Sequence, residues 1–72
     1  MKILDLHGIR YKDVQVLIDI FLWENKNESS IIIITGNSIN MKKEVNKILN
    51  EYNLHGKEVL SNSGRLLVDI LI

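Results

Sequence analysis

Ile31-Ile32-Ile33-Ile34-Thr35-Gly36-Asn37-Ser38 is the stretch around which the rest of this 72-residue chain can be ordered. Four β-branched apolar residues in a row suit a central strand buried on both faces. A flexible polar turn, Thr35 to Ser38, follows directly.

Upstream, the polar stretch Glu24 to Ser30 ends a helix expected from about Tyr11 to Trp23. Val14, Leu17, Ile18, Phe21 and Leu22 recur at helical spacing and mark its core stripe. Val16, Ile20 and Trp23 form a second apolar stripe on the opposite side, where a two-layer domain would meet water. Loops or side-chain stems could cover it. A partner surface is favoured, because tryptophan is common in interface cores; the occupant would be a second copy or a flanking domain. Before this helix, Ile9 and Arg10 read as a turn and Leu4-Asp5-Leu6-His7-Gly8 as a short strand with alternating faces.

Downstream, a second helix is expected from about Asn40 or Met41 to Tyr52, with Met41, Val45, Ile48, Leu49 and Tyr52 inward and Lys43, Asn46, Lys47 and Asn50 solvated. Asn53 to Gly56 breaks it, and His55-Gly56 reads as a helix-ending turn at the edge opposite the first histidine. Glu58-Val59-Leu60 is a short strand, Ser61-Asn62-Ser63-Gly64 a turn, and Leu66 to Ile72 a last apolar strand. The expected fold is therefore an α+β two-layer sandwich of order β-α-β-α-β-β: a four-stranded mixed sheet with two helices on one face.

Composition bounds the rest. At 72 residues the chain makes one domain with a single modest core. Cysteine is absent, which removes disulfides and thiolate metal sites; with no signal-peptide pattern or long apolar span, a cytoplasmic location and no membrane partner are expected. Nine basic residues balance nine acidic ones, so any nucleic-acid role must come from local placement of charge.

A strand-helix-strand crossover makes the first two strands parallel, so their carboxyl ends share one edge. That edge carries Asp5, His7 and Gly8 from one strand and Thr35, Gly36, Asn37 and Ser38 from the other. Both helices also start there, so their N–H groups and positive dipole ends converge. Crevices outside strand carboxyl ends are the usual ligand location in open α/β sheets, and a phosphate is the ligand that suits this one. Arg10 and Lys42 lie near the same end and can add phosphate contacts, whereas Lys43 reads as a solvated charge. Thr35 can bond a phosphate or cap the loop; Asn37 and Ser38 can do either, or cap the second helix. The spacing is not that of a Walker-type loop, which argues against a nucleotide hydrolase.

In combination, the Leu-Asp-Leu-His-Gly strand, the Ile-rich strand ending in Thr35-Gly36, the helix opening Met41-Lys42-Lys43-Glu44-Val45 and the closing hairpin with Gly64 before Leu66-Leu67-Val68 resemble the Smr (small MutS-related) domain over nearly the whole chain. The resemblance implies a fold like that of the C-terminal domain of a bacterial translation initiation factor. It also implies nucleic-acid binding, in many members endonuclease action on RNA or nicking of DNA, and in some a role at stalled or collided ribosomes. The family's Asp and His fall on Asp5 and His7, and its first loop glycine on Gly36. The family loop usually reads His/Thr-Gly-Lys-Gly. This chain has Asn37 for the lysine and Ser38 for the second glycine, and the stretch before Met41 is one residue short. Losing the lysine removes a phosphate contact, so binding can survive where cleavage does not.

The expected function is a small nucleic-acid-binding domain with endonuclease activity, RNA favoured over DNA. His7 would be the general acid or base, because histidine ordinarily titrates near neutrality. Asp5 would orient the imidazole or hold a divalent ion, though two ligands are too few for a metal to be expected. The loop from Thr35 to Ser38 would hold a phosphate. The alternative is a non-catalytic adaptor that binds RNA, ribosome or protein through the same edge or through Val16, Ile20 and Trp23.

Overall fold

The computed structural model describes residues 1–70 and has the element order β1(Lys2–Asp5), α1(Tyr11–Glu24), β2(Ser30–Ile34), α2(Ile39–Glu51), β3(Gly56–Val59) and β4(Asn62–Asp69). The order is the expected β-α-β-α-β-β in a four-stranded mixed sheet. In space the strands run β1-β2-β4-β3. β1 is parallel to β2, with Leu4 opposite Ile33, while β4 is antiparallel to both β2 and β3. The last strand in sequence thus lies between β2 and β3, and its beginning meets the end of β2.

One core joins the helices to one sheet face. Val14, Ile18 and Leu22 of α1 and Met41, Val45, Ile48 and Leu49 of α2 are buried together with Leu6, Ile31, Ile33, Leu66 and Val68. The period of 3.6 on the helices and of 2 on the strands brings these residues together, and each large side chain so buried contributes roughly 1.5–3 kcal/mol of transfer free energy. Ile31 and Ile33 are fully buried, whereas Ile32 and Ile34 are only half-buried. The reading of β2 as buried on both faces is corrected accordingly: the helices cover one face, and Ile32 lies on the other between Ile3 and Leu67.

Several boundaries move for local reasons. β1 ends at Asp5, and the chain turns at His7-Gly8 rather than at Ile9-Arg10. The Ile9 N–H donates to the Leu6 carbonyl at 3.0 Å, and Gly8 at φ 80 takes the third position, as a type II turn requires. α2 is capped by Ser38, whose Oγ accepts from the Met41 N–H at 3.1 Å. It ends at Tyr52-Asn53, with Asn53 in the left-handed region at φ 60, so the helix-ending residue is Asn53 and Gly56 begins β3. Tyr52 is not a core residue; it is 44% exposed and donates its phenol O–H to Asp19. Asn46 shares the groove-facing side of α2 with Lys43, Lys47 and Asn50 but is half-buried, because its Oδ1 accepts from the Gly56 N–H at 2.9 Å. The hairpin turn is Leu60-Ser61, where Ser61 to Gly64 was expected, and β4 takes up the rest of that polar stretch from Asn62. Leu71 and Ile72, which the sequence assigns to the last strand, lie outside the described residues. Among the described residues no helix is long and apolar enough to cross a membrane.

Candidate functional site

Because β1 and β2 are parallel, both chains leave the sheet at one edge, and there a single open depression of about 490 Å³ forms. His7, Gly8, Ile9, Arg10 and Tyr11 line one side; Thr35, Gly36, Asn37, Ser38 and Met41 line the other. Seven residues proposed from the sequence therefore meet: His7, Gly8, Arg10, Thr35, Gly36, Asn37 and Ser38. Tyr11, Ile9 and Met41 were not anticipated. The signal for Tyr11 lay in its place at the first position of a helix that starts on this rim.

Gly36 has φ 68, and a Cβ built on it would come within 3.2 Å of the His7 Cδ2. The missing side chain is what lets the imidazole rest against the loop. His7 itself is exposed, so a solute can reach it.

Asp5 does not stand beside that ring. Its Oδ1 accepts from the backbone N–H of His7 at 2.9 Å, an Asx-type bond that shapes the turn, and it does not line the depression. The reason is the early end of β1: Leu6 is buried, Asp5 lies on the opposite face in register with Ile34, and His7 is already in the turn. Among the described residues, no hydrogen bond joins Asp5 to the imidazole, so the expected orienting role is replaced by a backbone one.

The loop is backed by β4, which does not itself line the depression. The Gly64 carbonyl accepts from the Thr35 N–H at 2.8 Å and the Gly36 N–H at 3.1 Å. A Cβ on Gly64 would lie 3.3 Å from the Gly36 backbone, so close approach of the two chains needs a glycine there. The Thr35 hydroxyl donates to the Gly36 carbonyl at 2.9 Å and is buried. The first two donors of the loop are therefore engaged inside the protein, and Thr35 acts as a support. The donors facing outward belong to the next residues. Asn37 Oδ1 accepts from the Ser63 hydroxyl at 3.0 Å, which leaves its amide N–H groups for a ligand. The Ile39 and Asn40 N–H groups of the first turn of α2 have no intrahelical partner.

α1 has no side-chain cap at Arg10, and only the Asp13 N–H closes back on the Arg10 carbonyl, at 2.9 Å. Two helix N-termini, one uncapped, and one guanidinium thus face the same depression; this is an anion-attracting rim. Lys42 is elsewhere: its ammonium is 2.8 Å from Glu58 Oε1, in a different groove on the far side of the first turn of α2.

The comparisons find no counterpart. No protein-family model matches this chain, and neither the curated proteins nor the solved structures compared with it give a match. The likeness to the Smr domain accordingly rests on the residues quoted for it.

Val16, Ile20 and Trp23 are exposed by 51%, 51% and 71%, as the second stripe of α1 implies. The Trp23 ring is covered in part by the chain's own Lys26, whose ammonium lies 4.0 Å from the ring centroid. They lie on a helix face, outside the depression.

Proposed function

We propose that this protein binds nucleic acid through a phosphate held at the common rim of β1 and β2, and that it cleaves RNA there with His7. The observation that carries the reading is the meeting of His7, Arg10, Asn37 and two helix N-termini around one depression. Arg10, the Asn37 amide and the first-turn N–H groups of α2 bind the phosphate, and Tyr11, half-exposed on the same rim, offers a ring on which a base can stack.

RNA is favoured over DNA on chemical grounds. It carries its own nucleophile, the 2′-hydroxyl, so one imidazole and one charge-stabilising rim suffice. His7 takes the proton of the 2′-OH; the 2′-oxygen bonds to phosphorus; the P–O5′ bond breaks, and the 5′-oxygen takes a proton from water, whose hydroxide receives the proton held by His7. The rim donors act on the charge that builds on the non-bridging oxygens. Products would carry a cyclic phosphate and a 5′-hydroxyl.

The test incubates structured and single-stranded RNA, and supercoiled plasmid, with the protein and with His7→Ala, and reads products and their end groups. Cleavage lost in His7→Ala supports the proposal; identical products from both, or none from either, ends it. Asp5→Ala adds a discriminator. Because Asp5 holds a backbone turn, its loss lowers stability more than it lowers the turnover of folded protein.

A second reading, an adaptor that binds without cleaving, draws on one observation: Asp5 is turned away from the imidazole, which leaves His7 with no carboxylate beside it among the described residues that line the depression. Saturable RNA binding with no turnover would select it.

A further inference from the structure

Around the first turn of α2 from the His7 depression lies a second groove of about 600 Å³, lined by Lys42, Lys43, Asn46, Lys47, Asn50 and Glu58 together with Ile39. We infer that this groove is a track for the backbone of a single nucleic-acid strand, continuing from the phosphate site along α2, and that Glu58 restrains it. The inference rests on the nucleic-acid reading of the neighbouring site and adds to it a surface, a direction and a control.

Three ammonium groups face one carboxylate in this groove, although the whole chain is neutral. Charge is therefore placed, not merely present. Lys43 and Lys47 are exposed, lie four residues apart on one face of α2, and are separated along its axis by about 6 Å. A strand with one negative charge per nucleotide matches such a row better than an isolated anion does. The two amides complete it: Asn46 has its Oδ1 committed to the Gly56 N–H at 2.9 Å, so its N–H groups are free to donate, and Asn50 is exposed. The groove also adjoins the first site. Ser38 and Met41 line the His7 depression, while Ile39 and Lys42 line this one, so the two flank a single helical turn.

Glu58 stands where a phosphate would compete. Its Oε1 is 2.8 Å from the Lys42 ammonium, which is 18% exposed, while Glu58 is 55% exposed. Lys42 is thus masked until a phosphate displaces the carboxylate, and removing that charge strengthens binding.

The experiment follows fluorescence anisotropy of a dye-labelled oligouridylate of about 12 nucleotides, a length within the reach of small single-strand binders, across a range of salt. The full chain is compared with the double variant Lys43→Ala/Lys47→Ala, with Glu58→Gln and with Arg10→Ala. The expected result is opposite signs: the double variant weakens binding and lowers the magnitude of its log–log salt slope by about 1.4, the share of two phosphates on a single strand, whereas Glu58→Gln tightens binding several-fold. An oligouridylate that binds the double variant as tightly as the full chain, with binding lost in Arg10→Ala, would overturn the track and leave the rim site standing. No binding to the full chain at low salt would overturn both. An oligoglutamate that displaces the RNA at equal concentration would assign the groove to acidic peptides instead.

Discussion

The imidazole of His7 occupies the space that a side chain on residue 36 would need, since a Cβ on Gly36 would fall within 3.2 Å of the ring. Gly36 also has φ 68, a region in which residues with a Cβ are strained by roughly 1–2 kcal/mol. Gly36→Ala should therefore lower stability by about that amount and push the ring a few tenths of an ångström away from the loop. Gly8 makes the comparison clean: it has φ 80 but nothing within 4 Å of its Cβ position, so Gly8→Ala should show the strain without the collision. Urea unfolding measures the first effect and nuclear Overhauser contacts between the His7 ring and residue 36 the second. Contacts of the same strength in the Gly36→Ala variant as in the native chain would contradict the collision.

Arg10 sets a conflict between stability and binding. It stands at the cap of α1 without a side-chain acceptor. Serine there should stabilise the protein by about 0.5–2 kcal/mol, because its hydroxyl accepts from the open first-turn N–H groups. The same Arg10→Ser change removes a cation from the rim and should weaken oligonucleotide binding. Thermal unfolding and anisotropy on one sample would read both; a gain or a loss in both together would refute the assignment of Arg10.

The two faces of β2 should differ in what they contribute. Ile33 is fully buried between Leu4 and Leu66, so Ile33→Ala should cost about 2–5 kcal/mol, a large share of the stability of so small a domain. Ile32→Ala, on the half-buried face, should cost clearly less. Equal shifts in the urea midpoint would mean that something covers the second face.

Stability should also change at alkaline pH through Tyr52. Its hydrogen bond to Asp19, with smaller contributions from burial and from the charges of Asp19 and Glu51, raises the phenol above its ordinary value of 10.0. A raised acid favours folding while it is protonated. Its contribution is thus complete below pH 10.0 and is lost as pH rises through the higher value of the folded state. Denaturant midpoints taken from neutrality to above that range should show the advantage of the native chain over Tyr52→Phe shrinking. An advantage that grew with pH would reverse the sign and refute the bond.

Much of the site was legible because its signals are local. Alternation in Leu4-Asp5-Leu6, the four isoleucines and the two helical stripes place β1, α1, β2 and α2 in order, and a crossover between parallel strands brings His7 and Thr35 to Ser38 together. Asp5 was misread because alternation was carried two residues past the end of the strand, where Gly8 at φ 80 turns the chain. The ion pair of Lys42 was not legible because helical position says which end a residue occupies and not which partner it finds; Glu58 arrives from β3, sixteen residues away.

The amino-acid pattern by itself determined the elements, their sequence along the chain, the inward faces and the edge at which the two glycine turns meet, since those follow from periodicity and backbone preference over a few residues. Tertiary structure alone decided that β4 inserts between β2 and β3. That places the Gly64 carbonyl on the Thr35 and Gly36 N–H groups and Ser63 on Asn37, and so decides which donors of the loop remain for a ligand. Strand order depends on which edges pair across the whole sheet, a long-range choice that no short window of residues contains.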